Sequence, residues 1–78
     1  QRIKRSALDL KENLPITKRE AEVLYWLSHA KSNWEISQIL EMSPRTVNKH
    51  LEQIFKKLAV DNRTAAAAIS IRILESES

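Results

Sequence analysis

The chain is 78 residues long, with 13 Lys and Arg against 10 Asp and Glu, no Cys and no Gly. That length allows one small domain with a modest core, too little to house both a scaffold and an elaborate pocket. Without Cys there is neither a disulfide nor a thiolate metal site, which fits a reducing, cytoplasmic setting. No apolar run approaches membrane-spanning length and no signal-peptide pattern opens the chain, so no membrane partner is expected. The first residue is Gln1, as expected of a segment from a longer protein. With Gly absent and only two Pro, the composition favours helices over hairpins and phosphate-binding loops, and the expected fold class is all-α.

The net charge of +3 is unevenly placed. Between Ser43 and Leu58, Arg45, Lys49, Lys56 and Lys57 stand against the single acid Glu52, and the rest of the chain sums to zero. All the excess positive charge thus lies in one helix-length segment, the footprint of a surface that meets phosphates. A solvated helix face is the bland alternative.

In chain order, residues 1–14 mix charges with Ile3, Ala7, Leu8, Leu10 and Leu14 and read as a linker or short lead-in helix. The first clear helix opens at Thr17, whose hydroxyl forms a capping box with Glu20 while Ile16 staples back onto Ala21. Val23, Leu24 and Leu27 make its buried stripe, Tyr25 points away, and the helix is expected to end near Ser28 to Ala30. Thr17 and Glu20 are read as purely structural. A second box, Ser32 and Glu35, opens a short helix with Ile36, Ile39 and Leu40 inward and Trp34 exposed. The chain then turns at Glu41 and Met42.

The third helix starts with Ser43 as N-cap and Pro44 at the first helical position, where its missing N–H costs nothing. Val47, Leu51, Ile54, Phe55 and Leu58 form a buried stripe. At about 100° per residue, Arg45, Lys49, Glu52, Gln53 and Lys56 occupy the opposite face, with Thr46 and Asn48 on its flanks. Asp61 or Asn62 caps a fourth helix running to about Leu74. Ala65, Ala66, Ile69 and Ile73 form one apolar side of it, and Ala67, Ile71 and Leu74 another. A domain this thin has nothing left to cover the second side, so pairing with a second copy is expected. The alternative is that the alanines merely supply helix propensity. The tail, residues 76–78, is expected to be solvated and disordered.

Two helices joined by a tight turn, the second opening with short polar and long basic residues, make a helix-turn-helix unit over about 32–51. The major groove of double-stranded DNA, about 12 Å wide, admits one such helix. Its N-terminal side chains then reach base edges while the preceding helix crosses the backbone. Helix dipoles present partial positive charge to phosphates at Ser32 and Ser43, and the Trp34 indole N–H is a further phosphate candidate.

Residues 14–64, "LPITKREAEVLYWLSHAKSNWEISQILEMSPRTVNKHLEQIFKKLAVDNRT", resemble the LuxR/GerE-type (NarL-like) DNA-binding domain of bacterial transcription regulators. The matching fragments are "LT-x-RE-x-EVL", "SN-x-EI", "S-x-x-TV-x-x-H" and "KL-x-V-x-NRT", in order and at the right separations. The resemblance implies a four-helix domain spanning 15–75, the third helix in the major groove and the fourth mediating dimerisation. It places Asn48, Lys49 and Glu52 at base-contacting positions and Thr46, His50 and Lys56 at phosphate-contacting ones. Arg45 and Gln53 join the base-reading set from the helix projection, and Lys57 joins the phosphate set. The family has Gly where this chain has Ala30 and Ala59. A left-handed Ala30 costs on the order of 1 kcal/mol relative to Gly, unless the turn is remodelled.

His29 and His50 have no His or Cys neighbour at metal-ligand spacing, so no metal or cofactor is expected. His29 is expected in solvent. No nucleophile–base order or carboxylate pair suggests catalysis, and an enzyme is not expected. The expected function is the output domain of a bacterial regulator, a response regulator of a two-component system. Its partners are double-stranded DNA, a second copy, an upstream regulatory domain (a phosphorylatable receiver or a small-molecule-binding domain) and RNA polymerase. The competing readings are a protein-interaction module docking its basic helix on an acidic partner, and a promoter-binding domain like that of a sigma factor. The "NRTAAAA" helix argues against the latter.

Overall fold

The computed structural model describes residues 6–75. The expected tail at 76–78 and the first five residues of the lead-in lie outside them. Five helices follow one another: α1 (Ala7–Asn13), α2 (Lys18–Ser28), α3 (Asn33–Leu40), α4 (Pro44–Leu58) and α5 (Arg63–Leu74). The last four are the helices expected from the sequence. The fifth comes from the lead-in segment, which forms a capped helix with Leu10 fully buried and packs on both α2 and α5.

Every helix opens on a side-chain cap. Ser6, Thr17 and Ser32 form complete capping boxes with Asp9, Glu20 and Glu35, while Ser43 and Asn62 accept from Thr46 N–H and Ala65 N–H. Each satisfies an orphan donor worth about 1 kcal/mol. The core is centred on α2, which touches all four other helices. Val23, Leu24, Ile36, Val47 and Ile54 have no exposed surface, and Ile16, Ala21, Leu27 and Leu51 are nearly as deep.

Three helices end alike. Ala30, Glu41 and Ala59 have φ of 64°, 57° and 58°. In each case the next residue's N–H returns to a carbonyl five positions back: Lys31 to Trp26 at 3.2 Å, Met42 to Ser37 at 3.0 Å and Val60 to Phe55 at 3.0 Å. These are Schellman turns built without glycine. The turns are therefore not remodelled, and each left-handed residue bears roughly 1–2 kcal/mol of Cβ crowding. Ala30→Gly and Ala59→Gly are each expected to stabilise the domain by about 0.5–1 kcal/mol, after the larger unfolded-state entropy of glycine is set against relieved strain. Thermal unfolding followed by circular dichroism checks this, and an unchanged or lowered midpoint would remove strain as the explanation.

Four sequence expectations need correction. Ile39 was expected inward but is 43% exposed, and Ser37 is buried in its place. The Ser37 hydroxyl donates to the Trp34 carbonyl at 2.6 Å, so its burial leaves no unpaired group. Tyr25 does not point away. It lies half-buried against the core, with its ring 5.1 Å from Trp26 and 4.4 Å from His29. On α5 the buried positions are Ala66 and Ser70, whereas Ala65, Ile69 and Ile73 are only half-buried. Finally, the second side of α5 is partly covered from within the chain: Ala67 and Leu74 are half-buried, and Leu74 packs against the core.

Candidate nucleic-acid interface

The helix-turn-helix unit is α3, a turn through Glu41 and Met42, and α4. What holds it is a set of long-range side-chain bonds from α2 and α5. Arg19 of α2 donates to the last carbonyl of α3, Leu40 O, at 3.0 Å, while its other terminal nitrogen bonds Glu22 at 2.8 Å. A cation at that end also complements the dipole of α3. The neighbouring Glu20 serves twice. Its Oε1 accepts from Thr17 N–H at 2.9 Å, completing the cap, and from Lys57 Nζ of α4 at 2.8 Å. Glu20 is 5% exposed. Burial by itself would raise its pKa, but the Lys57 hydrogen bond, the Thr17 N–H and the charges of Lys57 and His50 outweigh that and hold it below the usual carboxylate value. At the other end of α3, Arg63 of α5 donates to Asn33 Oδ1 at 2.6 Å and to Lys31 O at 3.2 Å. The scaffold helix is thus clamped at both ends, and α4 is tied to α2.

These bonds give physical content to the sequence fragments. The "RE" pair of "KRE" reaches both helices of the unit, and the Asn of "SN" meets the Arg of "NRT" thirty residues away. Sequence reasoning read Glu20 as a cap only and missed Arg19, Asn33 and Arg63. The sole signal for them was their presence inside the motif fragments.

On α4, Val47, Leu51 and Ile54 face the core, with Phe55 and Leu58 partly buried beside them. Arg45, Asn48, Lys49, Glu52, Gln53 and Lys56 are all exposed on the other side. Thr46 and His50 are half-buried at its margins. The Ser43 hydroxyl accepts from Thr46 N–H at 3.1 Å and lies 3.0 Å from the Thr46 hydroxyl, so both are engaged in the cap. Ser32 likewise caps α3, receiving Glu35 N–H at 3.1 Å. The Glu35 carboxylate, which accepts Ser32 N–H, is held below its usual pKa first by that bond. Trp34 stands 63% exposed at the second position of α3. Lys57, expected among the phosphate-contacting residues, is exposed and pairs with Glu20 at 2.8 Å. Glu52 accepts a hydrogen bond from Asn48 Nδ2 at 3.3 Å. His29 is exposed as expected, with Nδ1 2.8 Å from the Tyr25 carbonyl. Among the described residues no His, Cys, Asp and Glu group could hold a metal, and no helix is long and apolar enough to cross a membrane.

On α5, Ala67 and Leu74 are half-buried and Ile71 is exposed. Ile71 borders two shallow grooves, one shared with Leu27, Lys31, Arg63 and Ala67, the other with His29 and Leu74.

The model of the family described as "Bacterial regulatory proteins, luxR family" matches residues 14–70. The chain belongs to the luxR family. It is therefore a DNA-binding domain of a transcription regulator, in a family that is not enzymatic. The match starts after α1 and takes in all of α2, α3 and α4. The luxR-family domain is 47% identical over 57 residues to the transcriptional activator protein BjaR1 of Bradyrhizobium diazoefficiens, covering 73% of this chain and 24% of that relative. It is 45% identical over 58 residues to the quorum sensing-dependent transcriptional regulator RpaR of Rhodopseudomonas palustris, covering 74% of this chain and 24% of the relative. With the transcriptional activator protein LuxR of Aliivibrio fischeri the identity is 44% over 61 residues, 78% of this chain and 24% of the relative. The chain thus matches about a quarter of the length of these relatives.

Proposed function

We propose that this luxR-family domain binds double-stranded DNA sequence-specifically as a homodimer, with α4 in the major groove and α3 across the backbone. One observation carries the reading: α4 turns a continuous polar, net positive face to solvent while its opposite face is built into the core. Arg45, Asn48, Lys49, Glu52 and Gln53 are the base-reading residues. Ser32, Trp34, Ser43, Thr46, His50 and Lys56 lie along the sugar-phosphate walls, the serines through the helix N-termini they cap. Lys57, held by Glu20, adds little net charge to this face.

The pairing surface is Ala67, Ile71 and Leu74 on α5, centred on the exposed Ile71. Of the two upstream domains expected from the sequence, the small-molecule-binding domain is favoured over the phosphorylatable receiver, because one relative is described as quorum sensing-dependent. The activator names of other relatives support RNA polymerase as a partner at the promoter.

The division of labour on α4 is testable by substitution. Lys49→Ala is expected to change which bases are preferred, with losses of about 1–3 kcal/mol confined to the duplexes that it reads. Lys56→Ala should weaken binding to every duplex alike and lower the salt dependence by about one counterion. Affinities for a panel of duplexes decide between them. Uniform losses for both variants would refute the assignment of Lys49 to a base edge.

A further inference from the structure

The groove-facing side of α4 carries one acid, Glu52, and its hydrogen bonding indicates which base chemistry this helix selects. Glu52 lies one helical turn after Asn48, and both are exposed. Asn48 Nδ2 donates to Glu52 Oε2 at 3.3 Å. Among the described residues no Lys or Arg forms an ion pair with Glu52, and Oε1 accepts no hydrogen bond. The acid is therefore not neutralised by its basic neighbours on the same face.

An ionised carboxylate accepts hydrogen bonds and donates none. It can meet only the NH₂ end of the Asn48 amide, so the amide is oriented by chemistry: Nδ2 toward Glu52, Oδ1 away from it. One turn of α4 then offers two open acceptors, Glu52 Oε1 and Asn48 Oδ1, beside one remaining Asn48 N–H. In the major groove guanine shows only acceptors, N7 and O6, and thymine shows O4 and a methyl group. Only cytosine N4 and adenine N6 present amino donors.

We infer that Asn48 and Glu52 act as one unit that selects, on the strand it faces, a base bearing an exocyclic amino group, cytosine or adenine, over guanine or thymine. The inference rests on the reading that α4 enters the major groove. Rejection arises because a carboxylate oxygen set against O6, N7 or O4 is desolvated with no donor to meet it. Nearby phosphates repel the same carboxylate, so Glu52 exchanges general affinity for discrimination. The two bases use the unit differently. Cytosine N4 can donate to Glu52 alone, whereas adenine can take Asn48 bidentately, N6–H to Oδ1 and N7 from the free N–H.

The test is selection of duplexes from a random pool by the chain and by two variants, Glu52→Gln and Asn48→Ala. Both substitutions are on solvent-exposed positions, and circular dichroism confirms that each variant is folded. The chain itself is expected to prefer one base pair in one orientation at one position of each half-site, with cytosine or adenine on the strand that α4 reads. Glu52→Gln, whose amide both donates and accepts, should reduce the discrimination against guanine and thymine on that strand by about tenfold, with the preferences at other positions unchanged. Asn48→Ala should abolish an adenine preference but leave a cytosine preference standing, which tells the two bases apart. Positional preferences in Glu52→Gln identical to those of the chain would overturn the inference while leaving groove binding intact. A chain that shows no sequence preference at all would overturn both this inference and the placement of α4.

Discussion

Raising monovalent salt from about 50 to about 200 mM is expected to weaken duplex binding roughly a thousandfold, because three free cations per protomer displace condensed counterions. Arg45, Lys49 and Lys56 are exposed on α4 without an ion-pair partner among the described residues. Lys57 is excluded because Glu20 holds it at 2.8 Å. A pair of protomers thus brings about six charges to the duplex, for a slope of log affinity against log salt near −5. Counting Lys57 as well would steepen it to about −7. Ile71→Glu, which places a carboxylate at the centre of the pairing surface, should leave a monomer with a slope near −3 and a much weaker complex. Titrations at several salt concentrations, with the oligomeric state followed by sedimentation, measure both quantities. A nearly flat slope would favour a protein partner for the basic helix. An unchanged slope and dimer for Ile71→Glu would move the interface off this side of α5.

The largest expected effect on stability comes from Ile54→Ala. Ile54 has no exposed surface and sits on α4 directly behind the polar face. Truncating a buried Ile to Ala removes transfer free energy and leaves a cavity, together about 2–5 kcal/mol. A domain of this size has about 4–12 kcal/mol in total, so the variant should lose a large share of its stability. Urea denaturation should show a much lower midpoint with the slope unchanged. Ile54→Val, which deletes one methyl, should cost only about 0.5–1.5 kcal/mol. A loss below about 1 kcal/mol for Ile54→Ala would mean that α4 is not anchored through this side chain.

Much of the candidate site was legible because it depends on neighbours in sequence. The capping boxes at Thr17 and Ser32 each span three residues, and the caps were located from sequence at the residues that form them. The two-sided character of α4 follows from helical periodicity alone, since Val47, Leu51 and Ile54 are strongly apolar and their opposites strongly polar. That contrast is missing elsewhere. On α3 the choice between Ile39 and Ser37 for an inward position depends on what α2 and α4 leave room for, and hydrophobicity picked the wrong one. Apolar residues surround most of α5, so its periodicity does not say which side is buried.

Where helices begin, the all-α class, the one helix that carries the excess charge and the family resemblance can all be read from the order of the residues. These are matters of contacts within three or four residues and of a pattern read in order. It takes the packed helices to show that the lead-in segment becomes α1 and docks on α5, that Lys57 is tied to Glu20, and that Arg19 and Arg63 hold the two ends of α3. Those bonds join residues 21 to 37 positions apart. No local preference encodes such a pairing, because the partners meet only after the core has set the distances between their helices.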